Sequence, residues 1–445
     1  MSAPLSLLSP TAGLSQHPCG YCSPPGERSA LPTSISYGIH PRQLSCAAYQ
    51  QMLDRGWRRS GAYAYKPDMG RTCCPQYTIR LEAPLLKKSK SQKQALKAWN
   101  RFVLEGEKGK GKEVDVDMDA GKKKKHKGRD NTPFDLKAAV HASEAAYMEQ
   151  DTTPAHKFEV VLELASFSED KFALYQDYQE HVHKDEEKSS AGFKRFLCHS
   201  PLIPEPIPYP RSPPSGLPQQ YGSYHQKYIF DGELIALGVI DILPSCVSSV
   251  YFMYSSRFEQ WGMGKISALR EAMLAREMHE AGLEGLKYLY MGYYIHTCQK
   301  MRYKGDYSPS FLLDPEEYTW YPIASCLPLL DKHRYVSFAH PPEAGEARQI
   351  DVQKPIEPDM DEALDEEGYY DPLPRCTAGC EDPSAIEHDT RMKEVDMVLR
   401  QQGNTVTVGP VTKSKAWRVP TIRRMLCDAV ATLGWHLSQQ VVFSF

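Results

Sequence analysis

Long apolar runs are missing from this sequence of 445 residues. No window approaches the roughly 18 consecutive apolar residues that identify a membrane-spanning helix. The first residues also lack the basic stretch followed by an apolar stretch that marks a secretory signal. We therefore expect a protein of the cytoplasm, with the nucleus as a second location, and no membrane partner.

A marked excess of charge of either sign is missing as well. The sequence has 53 Lys and Arg residues against 56 Asp and Glu residues, a formal net charge of -3 at pH 7. Lysines at 122–125 are offset by acidic residues at 359–367, so the overall charge neither indicates nor excludes a nucleic-acid partner. The content of 41% hydrophobic and 24% charged residues excludes a fibrous repeat or a chain disordered throughout, and the length allows about two domains.

Cysteine is plentiful, with twelve residues. Without an export signal these thiols are expected to stay reduced, which excludes a disulfide framework. Cys19 and Cys22 have the spacing that lets two thiolates face one metal, and the adjacent pair Cys73 and Cys74 could complete four ligands. Adjacent ligands are unusual for a zinc ribbon, and an all-thiolate site accepts either zinc or an iron-sulfur cluster. The alternative is four small core residues.

The N-terminal part begins with small, polar and Pro-containing residues at 1–18, which predict a mobile tail. Residues 19–104 form the first ordered unit. Within it, apolar spacing predicts a helix over 44–57, a half-buried strand over 76–81 and an amphipathic helix with a basic face over 89–104.

The middle of the chain begins with a Gly-, Lys- and Asp-rich stretch at 105–132, which we predict to be a disordered insert because it has few large apolar residues. Residues 133–200 follow as a connecting segment, with a predicted strand over 158–164 and a helix over 171–183. Repeated prolines at 201–220 predict an extended linker and a domain boundary.

The C-terminal part carries the clearest pattern. Two apolar runs flank the turn Asp231-Gly232, a common hairpin signal, and a strand, a glycine turn, a long helix and another strand follow. This order predicts an α+β acyltransferase core over 221–340. Residues 341–445 are predicted to be an acidic loop followed by a C-terminal helix. The predicted strands and helices span 221–230, 234–243, 247–254, 264–279, 288–295 and 419–433.

Specific strings of residues accompany these elements. They are CGYC at 19–22, DRGWRRSG at 54–61, YKP at 65–67, TCCPQYTIR at 72–80, DILP at 241–244, SSVY at 248–251, SALRE at 267–271, GYYIH at 292–296 and KMRYKG at 300–305. No general fold requires such strings. The sequence resembles the arginyl-tRNA protein transferases over about 19–103 and 221–335. It departs from many members at Ser255-Ser256, where they have Asp-Pro.

The resemblance implies a fold and an activity. The fold would combine an N-terminal cysteine metal-binding lobe with a C-terminal lobe like that of the N-acetyltransferases (GNAT-like). The enzyme would transfer arginine from arginyl-tRNA to proteins that begin with Asp, Glu or oxidised Cys, marking them for ubiquitin-dependent degradation. Cys19, Cys22, Cys73 and Cys74 would be the metal ligands, with an iron-sulfur cluster as the expected cofactor and zinc as the alternative.

Aminoacyl transfer needs little catalytic machinery, because the acyl donor is already an activated ester. A protein α-amine has a pKa of about 7.7–8.0, so part of it is neutral at pH 7, and positioning can supply much of the acceleration. The catalytic base, if there is one, stays unassigned at this point. His225, His296 and Tyr293 are candidates, although an isolated His in a β-rich core is more often a packing residue.

Substrate-binding cations are predicted at Lys300, Arg302 and Lys304. In an extended segment these three alternating side chains would share one face and could bind a substrate carboxylate or tRNA phosphates. An ordinary solvated edge is the alternative. Lysines at 87, 88, 90, 93 and 97 are equally suited to phosphate, again with a solvated helix face as the alternative.

Two other functions fit parts of the sequence. The turn at 259–264 is similar to the pyrophosphate loop of acetyltransferases, but Glu259 stands where that loop has Arg or Gln, and a negative charge there argues against coenzyme A. A coenzyme A-dependent acetyltransferase is therefore the weaker alternative. The stronger one is a metal-stabilised RNA-binding module without catalysis.

Overall fold

The computed structural model describes residues 4–22, 29–106, 134–183, 189–342, 379–402 and 405–445. Two sheets hold most of its strands, and none of the helices in these ranges is both long enough and apolar enough to cross a membrane. The strands are β1 Leu7–His17, β2 Ser34–Gln43, β3 Arg58–Ser60, β4 Tyr63–Pro67, β5 Tyr77–Glu82, β6 Phe158–Leu164, β7 Glu205–Pro206, β8 Gln220–Phe230, β9 Glu233–Ile242, β10 Cys246–Tyr254, β11 Tyr288–Tyr294, β12 Ser310–Leu313, β13 Trp320–Pro322, β14 Asp396–Gln402, β15 Thr405–Pro410 and β16 Val442–Phe443.

The helices lie between and beside these strands. Ser45 caps the first one by accepting from the amide of Ala48, and Ser89 and Gln92 form a capping box at the second. The α-helices are α1 Cys46–Leu53, α2 Lys90–Glu105, α3 Leu136–His141, α4 Glu169–Tyr178, α5 Ser190–Phe193, α6 Met263–Glu280, α7 Gln299–Arg302, α8 Ile323–Leu330, α9 Pro383–Glu387, α10 Pro420–Leu433 and α11 Trp435–Ser438.

A seven-stranded sheet has the order β15-β14-β16-β1-β2-β4-β3. The prediction of a mobile tail at 1–18 is wrong, because β1 lies inside this sheet between β16 and β2. Its backbone groups are paired on both sides at Leu7 and Leu8, and Leu8 is fully buried. The small and polar side chains of this segment gave no sign of that pairing, which depends on main-chain hydrogen bonds to distant parts of the chain.

The larger sheet has nine strands, with the path β13-β12-β5-β11-β10-β9-β8-β6 and β7 paired to β8. β8 and β9 form the hairpin predicted from Asp231-Gly232, and both turn residues have positive φ angles of 47° and 85°. Asp and Gly tolerate this left-handed conformation best. Helix α6 then connects β10 to β11, which run parallel. The α+β class and the element order predicted for 221–295 are confirmed.

β5 joins the two parts of the chain. It precedes α2 in the sequence, yet it lies in the larger sheet between β11 and β12. The segments 19–104 and 221–340, which we predict to be separate lobes, therefore share one sheet. One large core runs through both, and it includes Trp57, Ile79 and Leu289.

Two further expectations need correction. The segment at 133–200 does more than connect, because β6 extends the larger sheet beside β8. The region at 341–445 contains, besides the predicted helix α10, the strands β14, β15 and β16 of the smaller sheet. The predicted insert at 105–132 lies outside the described residues from 107 onward, and most of the predicted acidic loop, at 343–378, lies outside them too.

Candidate active site and cysteine cluster

The four predicted metal ligands come together at one end of the smaller sheet. Cys19 and Cys22 follow β1, and Cys73 and Cys74 lie between β4 and β5. Their sulfur atoms all lie within 4.8 Å of one another, and the Sγ atoms of Cys22 and Cys73 are 3.6 Å apart. The pairing of β1, β2 and β4 brings both cysteine pairs to the same end, so this cluster could hold a metal.

The four thiols cannot all ionise side by side without a cation. Hydrogen bonds from Cys19 and Cys74 hold the pKa of Cys73 well below its usual range. The pKa of Cys19 is raised to about 12, mainly by its hydrogen bond to Cys73, and burial raises the pKa of Cys22. Because only thiolates bind a metal, a bound cation would bring the remaining thiols to their charged state.

The cluster contacts the segment that follows β11. Ile295 and Cys298 are buried against it, and Met301 packs at its margin. Cys298 is a fifth thiol in this region that the motif-based prediction missed, because its position in the sequence shows no pairing with the other four. The cysteine cluster and the chain at 295–301 therefore form one packed unit.

β10 and β11 diverge close to this unit. They pair only from Cys246 to Ser248 and from Tyr288 to Tyr290, and beyond these residues the two strands have no further pairs. Gly292 in β11 has a φ angle of 67°, which favours glycine. We call the diverging ends of β10 and β11 the fork.

Two cations bind main-chain oxygen atoms at the fork. Arg58 donates to the carbonyl of Gly292 over 3.1 Å, and the Nζ atom of Lys304 donates to the carbonyl of Tyr293 over 2.8 Å. Among the described residues, neither cation has a carboxylate within 4.0 Å. Burial and the charge of Arg58 lower the pKa of Lys304 to about 7.

The three predicted substrate-binding cations do not share one face. Lys300 and Arg302 lie in α7, Lys304 lies in the following 3-10 turn, and the extended segment assumed for them is wrong. Lys300 and Arg302 are exposed, whereas Lys304 points back to β11. Three alternating residues are too few to distinguish a strand from a short helix.

The three candidate bases differ in their surroundings. His225 is fully buried and its Nε2 lies 3.0 Å from the carbonyl of Leu197, and burial lowers its pKa to about 4. Tyr293 donates to the carbonyl of Gly56 over 2.8 Å, and burial holds its pKa well above the usual range. Both side chains are packing residues in this structure.

His296 differs from the other two because it borders open space. Its Nε2 lies 2.8 Å from Asp331, its Nδ1 lies 3.0 Å from the hydroxyl of Tyr294, and all three line a cavity of about 250 Å³ together with Arg302. The cavity is polar enough to admit a substrate group. The contact with Asp331 gives His296 a local hydrogen-bond partner, so the structure alone assigns it no catalytic role.

The chain is similar to known proteins over most of its length. The family models described as "Arginine-tRNA-protein transferase, N terminus" and "Arginine-tRNA-protein transferase, C terminus" match residues 17–94 and 170–314. The chain is 32% identical over 433 residues to Arginyl-tRNA--protein transferase 1 of Drosophila melanogaster, which covers 76% of this chain and 87% of that protein. It is 28% identical over 472 residues to Arginyl-tRNA--protein transferase 1 of Arabidopsis thaliana, covering 72% and 73%.

A bacterial relative and a solved structure extend the comparison. The chain is 26% identical over 300 residues to the aspartate/glutamate leucyltransferase of Stutzerimonas stutzeri, covering 66% of this chain and 92% of that protein. The structure of L-PGS from Bacillus licheniformis has a TM-score of 0.22 at 12% identity and covers 49% and 47% of the two chains, too low a similarity to say anything about fold.

The first family model spans the cysteine cluster and Arg58, and the second spans both strands of the fork. This is the class of protein that carries an aminoacyl group from tRNA to another protein, as the names of the relatives state. The chain belongs to the arginyl-tRNA–protein transferase family. The prediction made from the motifs is thereby confirmed.

Proposed function

We propose that this protein transfers arginine from arginyl-tRNA to the N-terminal amine of proteins that begin with Asp, Glu or oxidised Cys, and so marks them for ubiquitin-dependent degradation. The observation that carries this proposal is the pair of cations at the fork, Arg58 and Lys304, which have no described carboxylate partner. Each accepted N-terminal residue carries an acidic side chain. The bacterial relative is named for the same two acidic residues, as an aspartate/glutamate leucyltransferase.

Charge explains why an acidic residue would be selected. A carboxylate that leaves water needs a cation to offset the lost hydration. Hydrogen bonds to charged groups contribute about 1.5–3 kcal/mol each, which corresponds to roughly tenfold to more than hundredfold discrimination against a neutral residue. Lys304 would bind the carboxylate of the acceptor, and the positive charge of Arg58 would add to the attraction. The exposed Lys300 and Arg302 would contact either the solvent-facing side of the same carboxylate or the tRNA phosphates.

The exposed lysines of α2 would add to the tRNA-binding surface. The apolar face of α2 is buried through Leu96, Trp99 and Val103, whereas Lys90 and Lys97 are exposed to solvent. Phosphate contacts of this kind position a nucleic acid without reading its sequence.

The cysteine cluster would hold one metal ion. Zinc–sulfur bonds are about 2.3 Å long, so four thiolates around one tetrahedral ion would lie roughly 3.8 Å apart. The observed limit of 4.8 Å fits that arrangement. An all-thiolate site accepts an iron-sulfur cluster as well, so the same four cysteines would hold the iron-sulfur cluster that we expect, with zinc as the alternative. When bound, the metal would link the residues that follow β1 to the residues that precede β5.

We infer that the 221–340 region is the N-acetyltransferase-like lobe, without coenzyme A. The order of hairpin, strand, helix and parallel strand supports this assignment, and Glu259 supports the absence of a pyrophosphate ligand. The acyl group would instead arrive on tRNA. The α-amine of the acceptor would then attack the ester carbonyl, held in place by the binding of its own side chain.

The test is transfer of labelled arginine from arginyl-tRNA to peptides that differ only in a first residue of Asp, Glu or Ala. We expect labelling of the acidic peptides and little of the Ala peptide. Lys304→Met should lose the transfer to Asp and Glu peptides while tRNA affinity stays unchanged. Lys287→Met, at the opposite end of β11, is the matched control and should retain both. Binding of tRNA without any transfer by the unmodified protein would instead support the RNA-binding alternative.

A further inference from the structure

A second pair of cations lines a small pocket that the proposed function leaves unused. Arg55, which lies shortly after α1, and Lys66 of β4 form the pocket together with Tyr318 and Thr78. In the part of the chain that the structure describes, no Asp or Glu side chain lines this pocket, and neither cation has a carboxylate within 4.0 Å. We call it the cation pocket.

Lys66 is buried among neutral groups. Its side chain belongs to a residue that is 6% exposed, and its Nζ atom donates to the hydroxyl of Tyr318 over 2.6 Å. Its other contacts are longer, 3.6 Å to the sulfur of Cys380 and 3.5 Å to the carbonyl of Thr432. Removing an ammonium group from water without an opposite charge is costly. The pocket therefore favours a ligand that carries a negative charge.

Two polar groups of the cation pocket lack a hydrogen-bond partner. They are the Nε atom of Arg55 and the hydroxyl of Thr78, which are both buried and unsatisfied among the described residues. The guanidinium of Arg55 instead lies over the ring of Tyr318, 4.1 Å from its centroid. Buried polar groups nearly always have a partner, and both of these groups can donate. They indicate an acceptor that would bind between them.

Tyr318 holds the two cations in place. Its ring lies next to both of them, with the Nζ atom of Lys66 4.6 Å from the centroid, and its hydroxyl donates to the carbonyl of Gly379 over 2.5 Å. Its φ angle is 55°, in the left-handed region that favours glycine. Such backbone strain persists only where the surroundings fix it, and it is concentrated at ligand-binding and catalytic sites.

The size of the cation pocket limits what it can bind. Its volume is about 20 Å³, which is room for a group about as large as one water molecule. One end of a carboxylate is small enough to enter, whereas a phosphate group of the tRNA backbone is too large. Size and charge together therefore favour a carboxylate.

Tyr293 connects the cation pocket to the fork. Thr78 of β5 pairs with Tyr293 of β11 in the larger sheet. The carbonyl of Tyr293 accepts from Lys304, and its hydroxyl donates to the carbonyl of Gly56, which lines the cation pocket. The two cation sites thus lie at the two ends of one tyrosine. An extended peptide advances about 3.3 Å per residue, so residues close together in one acceptor can reach both sites.

We propose that the cation pocket binds a second carboxylate of the acceptor protein, from an acidic side chain at its second or third residue. This inference rests on the proposed function, which assigns the side chain of the first residue to Lys304. Arg55 and Thr78 would donate hydrogen bonds to the second carboxylate, and Lys66 would add its charge. A free carboxylate such as acetate has the same chemistry and is the other source of this ligand.

The first experiment compares three peptides as acceptors for full-length protein and labelled arginyl-tRNA. They begin with Asp-Asn-Asn, Asp-Asp-Asn and Asp-Asn-Asp and are otherwise identical. KM should be about tenfold lower, or lower still, for at least one of the two doubly acidic peptides than for the first peptide, because hydrogen bonds to a charged group contribute that much. KM for arginyl-tRNA should be the same with all three peptides.

Two variants assign this preference to the cation pocket. Thr78→Val keeps the shape of the side chain and removes a hydroxyl that has no described partner, so its melting temperature should be equal to or above that of the unmodified protein. It should nevertheless weaken the preference, and Arg55→Gln should abolish it. Thr407→Val, in β15 of the smaller sheet, is the matched control and should retain it. An unchanged preference in Thr78→Val and Arg55→Gln would overturn the proposal.

The second experiment uses acetate as a free carboxylate and needs no arginine transfer. The melting temperature is measured at increasing acetate concentration, with chloride keeping the ionic strength constant. If no peptide is preferred, but acetate raises the melting temperature of the unmodified protein to a plateau and has no such effect on Thr78→Val, the ligand is a free carboxylate. If no peptide is preferred and acetate acts like chloride on both proteins, the pocket binds no carboxylate and the proposal fails.

These outcomes are distinct from a failure of the proposed function. If the unmodified protein transfers arginine to none of the three peptides, the proposed function fails, and the acetate titration still decides whether the cation pocket binds a carboxylate. If arginine is transferred equally well to all three peptides, the proposed function stands and the acceptor does not supply the second carboxylate.

Discussion

Replacing Glu271 by Gln should change how the stability of the protein depends on pH, whatever the variant does to activity. The pKa of Glu271 is raised by burial from an ordinary 4.5 to about 7 in the folded protein. The folded state therefore holds this proton more tightly than the unfolded state does. Stability from this carboxyl is complete below about pH 4.5 and is lost as the pH rises towards 7.

The size of the effect follows from the shift. A difference of one pKa unit is about 1.4 kcal/mol, so ionising Glu271 in the folded protein costs about 3 kcal/mol in total, of which about 2 kcal/mol falls between pH 5.5 and 8. Gln keeps the shape and has no charge. Between pH 5.5 and 8, the free energy of unfolding of the unmodified protein should therefore fall by about 2 kcal/mol relative to that of the variant.

Urea unfolding of both proteins at several pH values measures the difference. The slope of unfolding free energy against urea concentration is compared between the two proteins, because equal slopes mean that their unfolded states match. Other titrating groups are the same in both proteins and cancel. Parallel stability curves for the two proteins would refute the reasoning, because they would mean that the carboxyl of Glu271 ionises in the folded protein as easily as in water.

Three further predictions concern other parts of the chain. Cys73→Ser should lose the bound metal, measured by elemental analysis of anaerobically purified protein, whereas Cys326→Ser, at a buried thiol outside the cluster, should retain it. Because the pKa of Lys304 is lowered to about 7, kcat/KM for an Asp peptide should fall as the pH rises above 7, and Lys304→Arg should remove this fall in a pH profile since Arg stays charged. Asp241→Ala should reduce the free energy of unfolding by about 3–5 kcal/mol in a denaturant titration, because it leaves the guanidinium of Arg59, now 2.6 Å from Asp241, buried without its partner.

Local patterns in the sequence predicted the elements that local physics determines. The Asp231-Gly232 turn required positive φ angles that few other residues tolerate, and the apolar spacing of α2 matched its buried face. β1 was missed because its order comes from pairing with β16 at the other end of the chain. No property of its own residues signals that partner.

The site was predicted to the extent that its residues form motifs. The four cysteines followed from their spacing and from the family resemblance. Arg58 was missed because its contact with Gly292 spans 234 positions. The burial of Glu271 was missed as well, since a glutamate is normally exposed, and only the packing of α6 shows that this one is buried.

The position of β5 has a consequence for the order in which the chain can fold. β5 ends at Glu82, but its two neighbours in the sheet, β11 and β12, end at Tyr294 and Leu313. At roughly 5–20 residues per second of synthesis, β5 leaves the ribosome some ten to forty seconds before β11 exists. During that time both of its edges lack their partners, so the first part of the chain cannot complete its structure as an independent unit.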